Sequence, residues 1–262
     1  MLRRWSILLA MLALTAGMAV TATSASAATP AGSVNPGGLI HLAGGASSQP
    51  HGISRASTTS TNWSGYAATT GTYTSVSASW TQPKGTCTSG DQYAAFWVGL
   101  DGYTSSTVEQ TGSEVDCVGR TAEYYAWYEM YPGASENYSN TVRSGDHFNA
   151  SVTYEGSNKF ALYIADTTQG WSHTTTASLA GAARSSAEVI VEAPCCTNSG
   201  GILPLTNFGT INLTNSLANG SAIGNAGGLT EITMVDSSGR TEDNVSALTG
   251  GENFSATWVR KN

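Results

Sequence analysis

From Thr61 onward the chain nowhere sustains a helical period. It is written in short runs of β-branched and aromatic residues: "YTSVSASW", "YAAFWVGL", "EYYAWYEMY", "HFNASVTYE", "KFALYIAD", "AEVIVEA", "LTEITMVD" and "FSATWVR". Turn signals such as "EGSN" and "DSSG" separate several of them. Such residues fit a pleated, half-buried surface, and many short strands with polar turns predict two packed antiparallel sheets. No internal repeat of fixed period is present.

The chain's beginning reads differently. Residues 1–27 open with Arg3 and Arg4, run through "ILLAMLALTAGMAV" and close on Ala25, Ser26 and Ala27, the three-part plan of a secretory signal. The apolar run is shorter than the ~20 residues a membrane span needs. Residues 28–60, rich in Gly, Ala, Ser and Pro, read as a linker or short pro-segment, and residues 61–262 as one domain. Losing the signal would leave nine bases against 18 acids, a balance of −9. A nucleic-acid partner is excluded by that sign, because phosphate binding needs clustered Lys and Arg. Charged residues make up only 11% of the chain, so few ion pairs exist for acid to break; the composition suits an exported protein that meets acid.

Alternation sorts the strand faces. In "FWVGLDG", Phe96, Val98 and Leu100 share a core face, which turns Trp97, Gly99 and Asp101 the other way. In "YAWYEMY", Tyr125, Trp127, Glu129 and Tyr131 share one face. In "AEVIVEA", Val189 and Val191 point inward, and Glu188, Ile190 and Glu192 outward. The second face therefore carries tryptophan, acid and amide. Large aromatics left open on a strand mark a binding surface, so a groove lined by Trp97, Trp127 and carboxylates is expected.

Familiar hydrolase signatures are absent: no G-x-S-x-G, no H-E-x-x-H, no D-T-G or D-S-G. His41, His51, His147 and His173 show neither triad nor metal spacing. Carboxylate and amide chemistry remains. A carbohydrate-binding module could present the same face, and a glycosidase could pair Glu129 with Glu192. Neither would need the glutamine of "SSTVEQTGSE", Gln110.

"NWSGYA", "FWVGLDG" with "VEQTG", "YAWYEMYP" and "AEVIVEAP" occur in an order and spacing that resembles the glutamic peptidases, or eqolisins, from about Asn62 to "FSATWV". The resemblance implies a lectin-like β-sandwich, endopeptidase activity in acid, and a catalytic pair of Gln110 and Glu192. A glutamate can take a proton from attacking water and return it to the leaving amine. A glutamine cannot titrate there, but its NH2 can hold an oxyanion. Trp63, Trp97 and Trp127 resemble the family's groove tryptophans, Glu129 resembles a position near the site, and Asp101 joins them as a substrate contact. The implied protein is a secreted monomer acting on protein or peptide substrates, with no metal or cofactor and no membrane contact after signal removal. Two departures stand out: fungal members often carry an acid where this chain has Tyr125, and the long basic pro-segment is reduced. The signal suggests a bacterial branch.

Three further expectations concern single groups. All four cysteines are expected to be oxidised, with Cys87–Cys117 the favoured pair, which leaves adjacent Cys195 and Cys196 to close a strained ring. Glu109 is expected to be a solvated strand residue facing away from Gln110. Glu192, beside Glu188 and Glu129, is expected to give a bell-shaped acidic profile.

Overall fold

A computed structural model of the chain describes residues 56–195 and 201–261. The proposed signal, most of the proposed linker, His41, His51 and Cys196 lie outside them. The first strands are β1 (Ala56–Ser60), β2 (Trp63–Ala68), β3 (Ser75–Thr81), β4 (Gln92–Leu100), β5 (Val108–Val118), β6 (Thr121–Tyr131), β7 (Glu136–Asn137) and β8 (His147–Gly156). The chain continues through β9 (Lys159–Asp166), β10 (Trp171–Ser178), β11 (Ala187–Glu192), β12 (Thr210–Ala218), β13 (Ser221–Ala222), β14 (Leu229–Met234), β15 (Asp243–Val245) and β16 (Phe254–Trp258).

These form two sheets, as the sequence pattern predicts. One runs β1-β14-β2-β11-β4-β5-β6-β7, the other β10-β9-β8-β3-β12-β16-β15 with β13 attached to β12. Neighbours are antiparallel except β1 and β14, which pair parallel at the edge of the first sheet. The sheets close on one apolar core. Phe96, Val98, Leu100, Val189 and Val191 enter it from the first sheet, Phe148, Val152, Leu162 and Ile164 from the second. Trp80 stacks on Phe148 inside it (centroids 5.9 Å apart), and its Nε1 crosses to the other sheet to donate to Ser113 Oγ at 2.8 Å. A buried indole N–H needs such an acceptor.

What distinguishes the sheets is their outer surface. In β3, Val76, Ala78 and Trp80 are buried, while the intervening Ser75, Ser77 and Ser79 are only partly so. That is the alternation of a sheet with one wet face. In β2, β4, β5 and β11 nearly every residue is buried, so both faces of the first sheet are covered. Its outer face carries a second apolar cluster of Trp63, Ala67, Ala95, Trp97, Val108, Trp127, Ile190 and Ile232. The parity read from the sequence is correct, but the exposure is not: Trp63, Trp97 and Trp127 are at most 1% exposed. Trp63 and Trp97 pack edge to face, 4.9 Å between centroids, and bury each other.

Cys87 and Cys117 are joined, as expected, tying the loop before β4 to the end of β5. Cys195 is disulfide-bonded too.

Candidate active site

The outer face of the first sheet can be laid out in rows from the strand register. Glu188, Gly99, Gln110 and Glu129 form one row across β11, β4, β5 and β6. The next contains Ile190, Trp97, Gly112 and Trp127, and the one after it Glu192, Ala95, Glu114 and Tyr125. Gly112 is required where it stands: a Cβ there would lie 2.2 Å from the Phe96 carbonyl oxygen and 2.6 Å from Trp97 Cβ. Its absence lets the two indoles flank β5.

The predicted pair shares this face without sharing a row. Gln110 lies opposite Gly99 and Glu192 opposite Ala95, four residues along the strand direction, roughly 13 Å, and two strands across, roughly 10 Å. The Trp97 indole spans that interval. Its Cζ3 edge lies 2.8 Å from where a Cβ of Gly99 would be, beside Gln110, and its Nε1 donates to Glu192 Oε2 at 2.8 Å. Asn62 Nδ2 donates to Glu192 Oε1 at 3.4 Å. Glu192 is thereby held by two donors. Gln110 Nε2 donates to Glu129 Oε2 at 2.6 Å, which fixes the amide.

Asp101 sits just past β4 in a left-handed conformation (φ 68°), fully buried. Its carboxylate accepts from Arg184 N, Ser185 N and Ser185 Oγ, so it clamps the loop that leads into β11. Glu188 and Glu129 do not both flank Glu192 in the register; they stand in the row of Gln110. The same-row acid of Glu192 is Glu114, which sequence reasoning missed, although alternation along β5 from Gln110 puts Gly112, Glu114 and Asp116 on the same face.

Glu109 corrects another expectation. It faces away from Gln110, opposite Leu100 and Met130, but it is fully buried, not solvated. The face opposite the site looks into the sandwich, and burial, reinforced by the Asp101 charge, pushes its carboxyl up to about 8. Glu188 is likewise driven well above the usual carboxylate range by burial, with Asp101 and Glu109 adding to the shift and the Ser186 hydroxyl opposing it. Asp116 is raised by burial and then by Glu114 and Glu123. Burial therefore favours the neutral form of each of these three acids.

His147 meets Thr81 and His173 meets Asn140, both on the second sheet's side of the molecule. Among the described residues no three His, Cys, Asp or Glu side chains converge as a metal site.

The chain matches the Peptidase A4 family model over residues 61–258. It is 30% identical to Aspergillopepsin-2 of Aspergillus niger over 173 residues, 63% of this chain and 59% of that one. It is 34% identical to scytalidopepsin B of Scytalidium lignicola over 145 residues, 52% of each. The chain thus spans between half and three fifths of these relatives. Scytalido-glutamic peptidase, solved with a transition-state analog inhibitor, superposes with a TM-score of 0.65 at 22% identity, over 76% of this chain and 98% of that one. Aspergilloglutamic peptidase from Aspergillus niger gives 0.57 at 26% identity, over 64% and 99%. A sandwich whose outer face carries the glutamine, glutamate and tryptophans in these rows, matched by the family model over most of its length, belongs to the Peptidase A4 family, the glutamic peptidases or eqolisins.

Proposed function

We propose that the protein is a secreted acid endopeptidase that hydrolyses peptide bonds with Gln110 and Glu192. The observation that carries this reading is the way the two are held on one buried face: Trp97 Nε1 on Glu192, and Glu129 on the Gln110 amide. The scissile peptide lies between them, over the Trp97 indole. Glu192 takes a proton from water as the water oxygen attacks the carbonyl carbon. The amide of Gln110 has two protons; Glu129 receives one, and the second holds the oxyanion. When the tetrahedral centre collapses, the C–N bond breaks and Glu192 returns its proton to the departing amine. Asp101 acts at a distance by fixing the start of β11. A scytalidopepsin of this family was solved with the tripeptide Ala-Ile-His, which supports peptides as the substrate class. The Cys87–Cys117 disulfide and the N-terminal pattern support export.

The test is digestion of a denatured protein in acid. Gln110→Ala is expected to lower turnover by ~10²–10³, as removal of one oxyanion donor does elsewhere. Glu192→Gln is expected to cost at least as much, since an amide cannot accept water's proton. Exposed Glu155→Gln on β8, on the other sheet, is the control. Wild-type digestion by folded Gln110→Ala refutes the assignment, and glycan cleavage that tolerates it points to the carboxylate-pair glycosidase.

A further inference from the structure

The edge strand β1 ends beside the dyad's glutamate. Ser60, its last residue, pairs with Met234 of β14, and its carbonyl accepts from Val235 N at 2.8 Å. The chain then turns into β2, and within that turn the Asn62 carbonyl accepts from the N–H of Ala193, the residue after Glu192, at 2.9 Å. Ser60 and Asn62 are both buried. The Ser60 hydroxyl meets three groups: it accepts from Asn62 N at 3.3 Å and from Trp63 N at 3.1 Å, and it donates to Asn62 Oδ1 at 3.0 Å. A hydroxyl has two acceptor positions and one proton. The two backbone N–H groups take the acceptor positions, so the proton goes to Oδ1.

We propose that Ser60 is a positioning residue for the reaction: by donating to Asn62 Oδ1 it fixes which end of that amide meets Glu192. The inference rests on Glu192 being the general base. A carboxamide rotated by half a turn keeps its shape but exchanges a donor for an acceptor. With Oδ1 held by Ser60, Nδ2 is the end that faces Glu192 Oε1, at 3.4 Å, while Trp97 Nε1 donates to Oε2, so each oxygen of the carboxyl has its own donor. The reverse orientation would set Oδ1 against a carboxylate oxygen and remove the hold on that side of Glu192. Misplacing a reacting group by about 1 Å can cost ~10²-fold in rate. Ser60 falls in the stretch that the sequence pattern assigns to the linker, one residue ahead of the expected domain start; as the end of β1 it belongs to the active-site architecture.

The experiment measures kcat and KM for peptide cleavage in acid by the wild type, Ser60→Ala, Ser60→Thr, Asn62→Ala, the double variant Ser60→Ala with Asn62→Ala, and Glu192→Gln. Ser60→Ala is expected to lower kcat about tenfold with KM nearly unchanged, and Ser60→Thr, which restores a hydroxyl, to recover most of the loss. Once Asn62 is alanine, Ser60→Ala is expected to lower kcat no further, because the group it orients is gone. A role confined to holding the two backbone N–H groups of the turn would lower the melting temperature in both backgrounds and leave kcat of the folded enzyme unchanged. Wild-type kcat in folded Ser60→Ala, or an equal fall in both backgrounds, overturns the inference, and inactive Glu192→Gln then leaves the dyad standing. Wild-type cleavage by Glu192→Gln overturns the dyad, and the inference with it. Should Ser60→Ala not fold, nuclear Overhauser contacts in the wild type decide. Asn62 amide protons close to the Trp97 indole N–H support the orientation, and amide protons close only to the Ser60 side chain refute it.

Discussion

Asp243 offers the sharpest test of how this protein uses buried acid. It lies on β15 of the second sheet, fully buried, and contacts Ser64 of β2 in the first. Ser64 Oγ is also 3.4 Å from the Val191 carbonyl oxygen. The Ser64 hydroxyl donates to Asp243 Oδ2. Burial raises the Asp243 carboxyl from 3.8 to about 7, against the smaller opposing effects of Ser64 and the Met234 backbone. Because the folded value is the higher one, the stabilisation is fully present below pH ~4 and is lost as pH rises to about 7. Three units correspond to ~4 kcal/mol. For a domain of this size that is a fall in melting temperature of roughly 8–16 °C. Asp243→Asn keeps the shape, and its amide oxygen can still accept from Ser64. Calorimetry at pH 4 and pH 8 is expected to show the wild type losing roughly 8–16 °C more than Asp243→Asn. Glu109, raised to about 8, acts in both proteins and cancels in the difference, whereas Glu242, raised to about 7 by burial and then by Asp236 and Asp243, loses the Asp243 contribution in the variant. Equal losses in the two proteins would refute the reasoning.

Trp97→Phe removes the Nε1 donor from Glu192 while keeping an aromatic ring; it should move the acid limb of kcat/KM upward and lower activity at the wild-type optimum, both read from the same pH profile. Ser113→Ala orphans the buried Trp80 Nε1 and should cost ~1–3 kcal/mol in denaturant unfolding, with turnover at saturating substrate nearly unchanged.

The parts of this molecule legible in the sequence are those set by period-two alternation. β8, β9, β11 and β16 are recognisable because each carries several apolar residues at alternate positions. β10, "WSHTTTAS", and β12, "TINLTNSLA", are not, since their outward positions are hydroxyls and amides, and a bulge between Thr214 and Leu217 interrupts the register of β12 with β3. β5 is legible only around Val108, Glu109 and Gln110, for the opposite reason: the rest is polar and glycine-bearing, yet buried on both faces by its neighbours. Parity placed Gln110, Trp97, Trp127 and Glu192 on one face without reference to distance. It could not tell that Trp97 would be covered or that Glu109 would be sealed in, because both depend on what packs above and below the sheet. The Glu114–Glu192 row was hidden for a different reason, since the pairing of β11 with β4 joins residues far apart in the chain.

Composition had implied only half of the acid story. Few bases mean few ion pairs for acid to break, but 18 acids must still be placed somewhere. Burying an ionised carboxylate without a partner is prohibitive, whereas burying the neutral acid costs only a hydrogen bond's worth of solvation. The chain places Glu109, Asp116, Glu188, Glu242 and Asp243 in its interior, and burial is the first cause of the upward shift in each. Each of these groups favours the fold when protonated and opposes it when ionised, so the low proportion of bases and the buried acids act in the same direction. Around the active site the same physics leaves the charge on few carboxyls in acid.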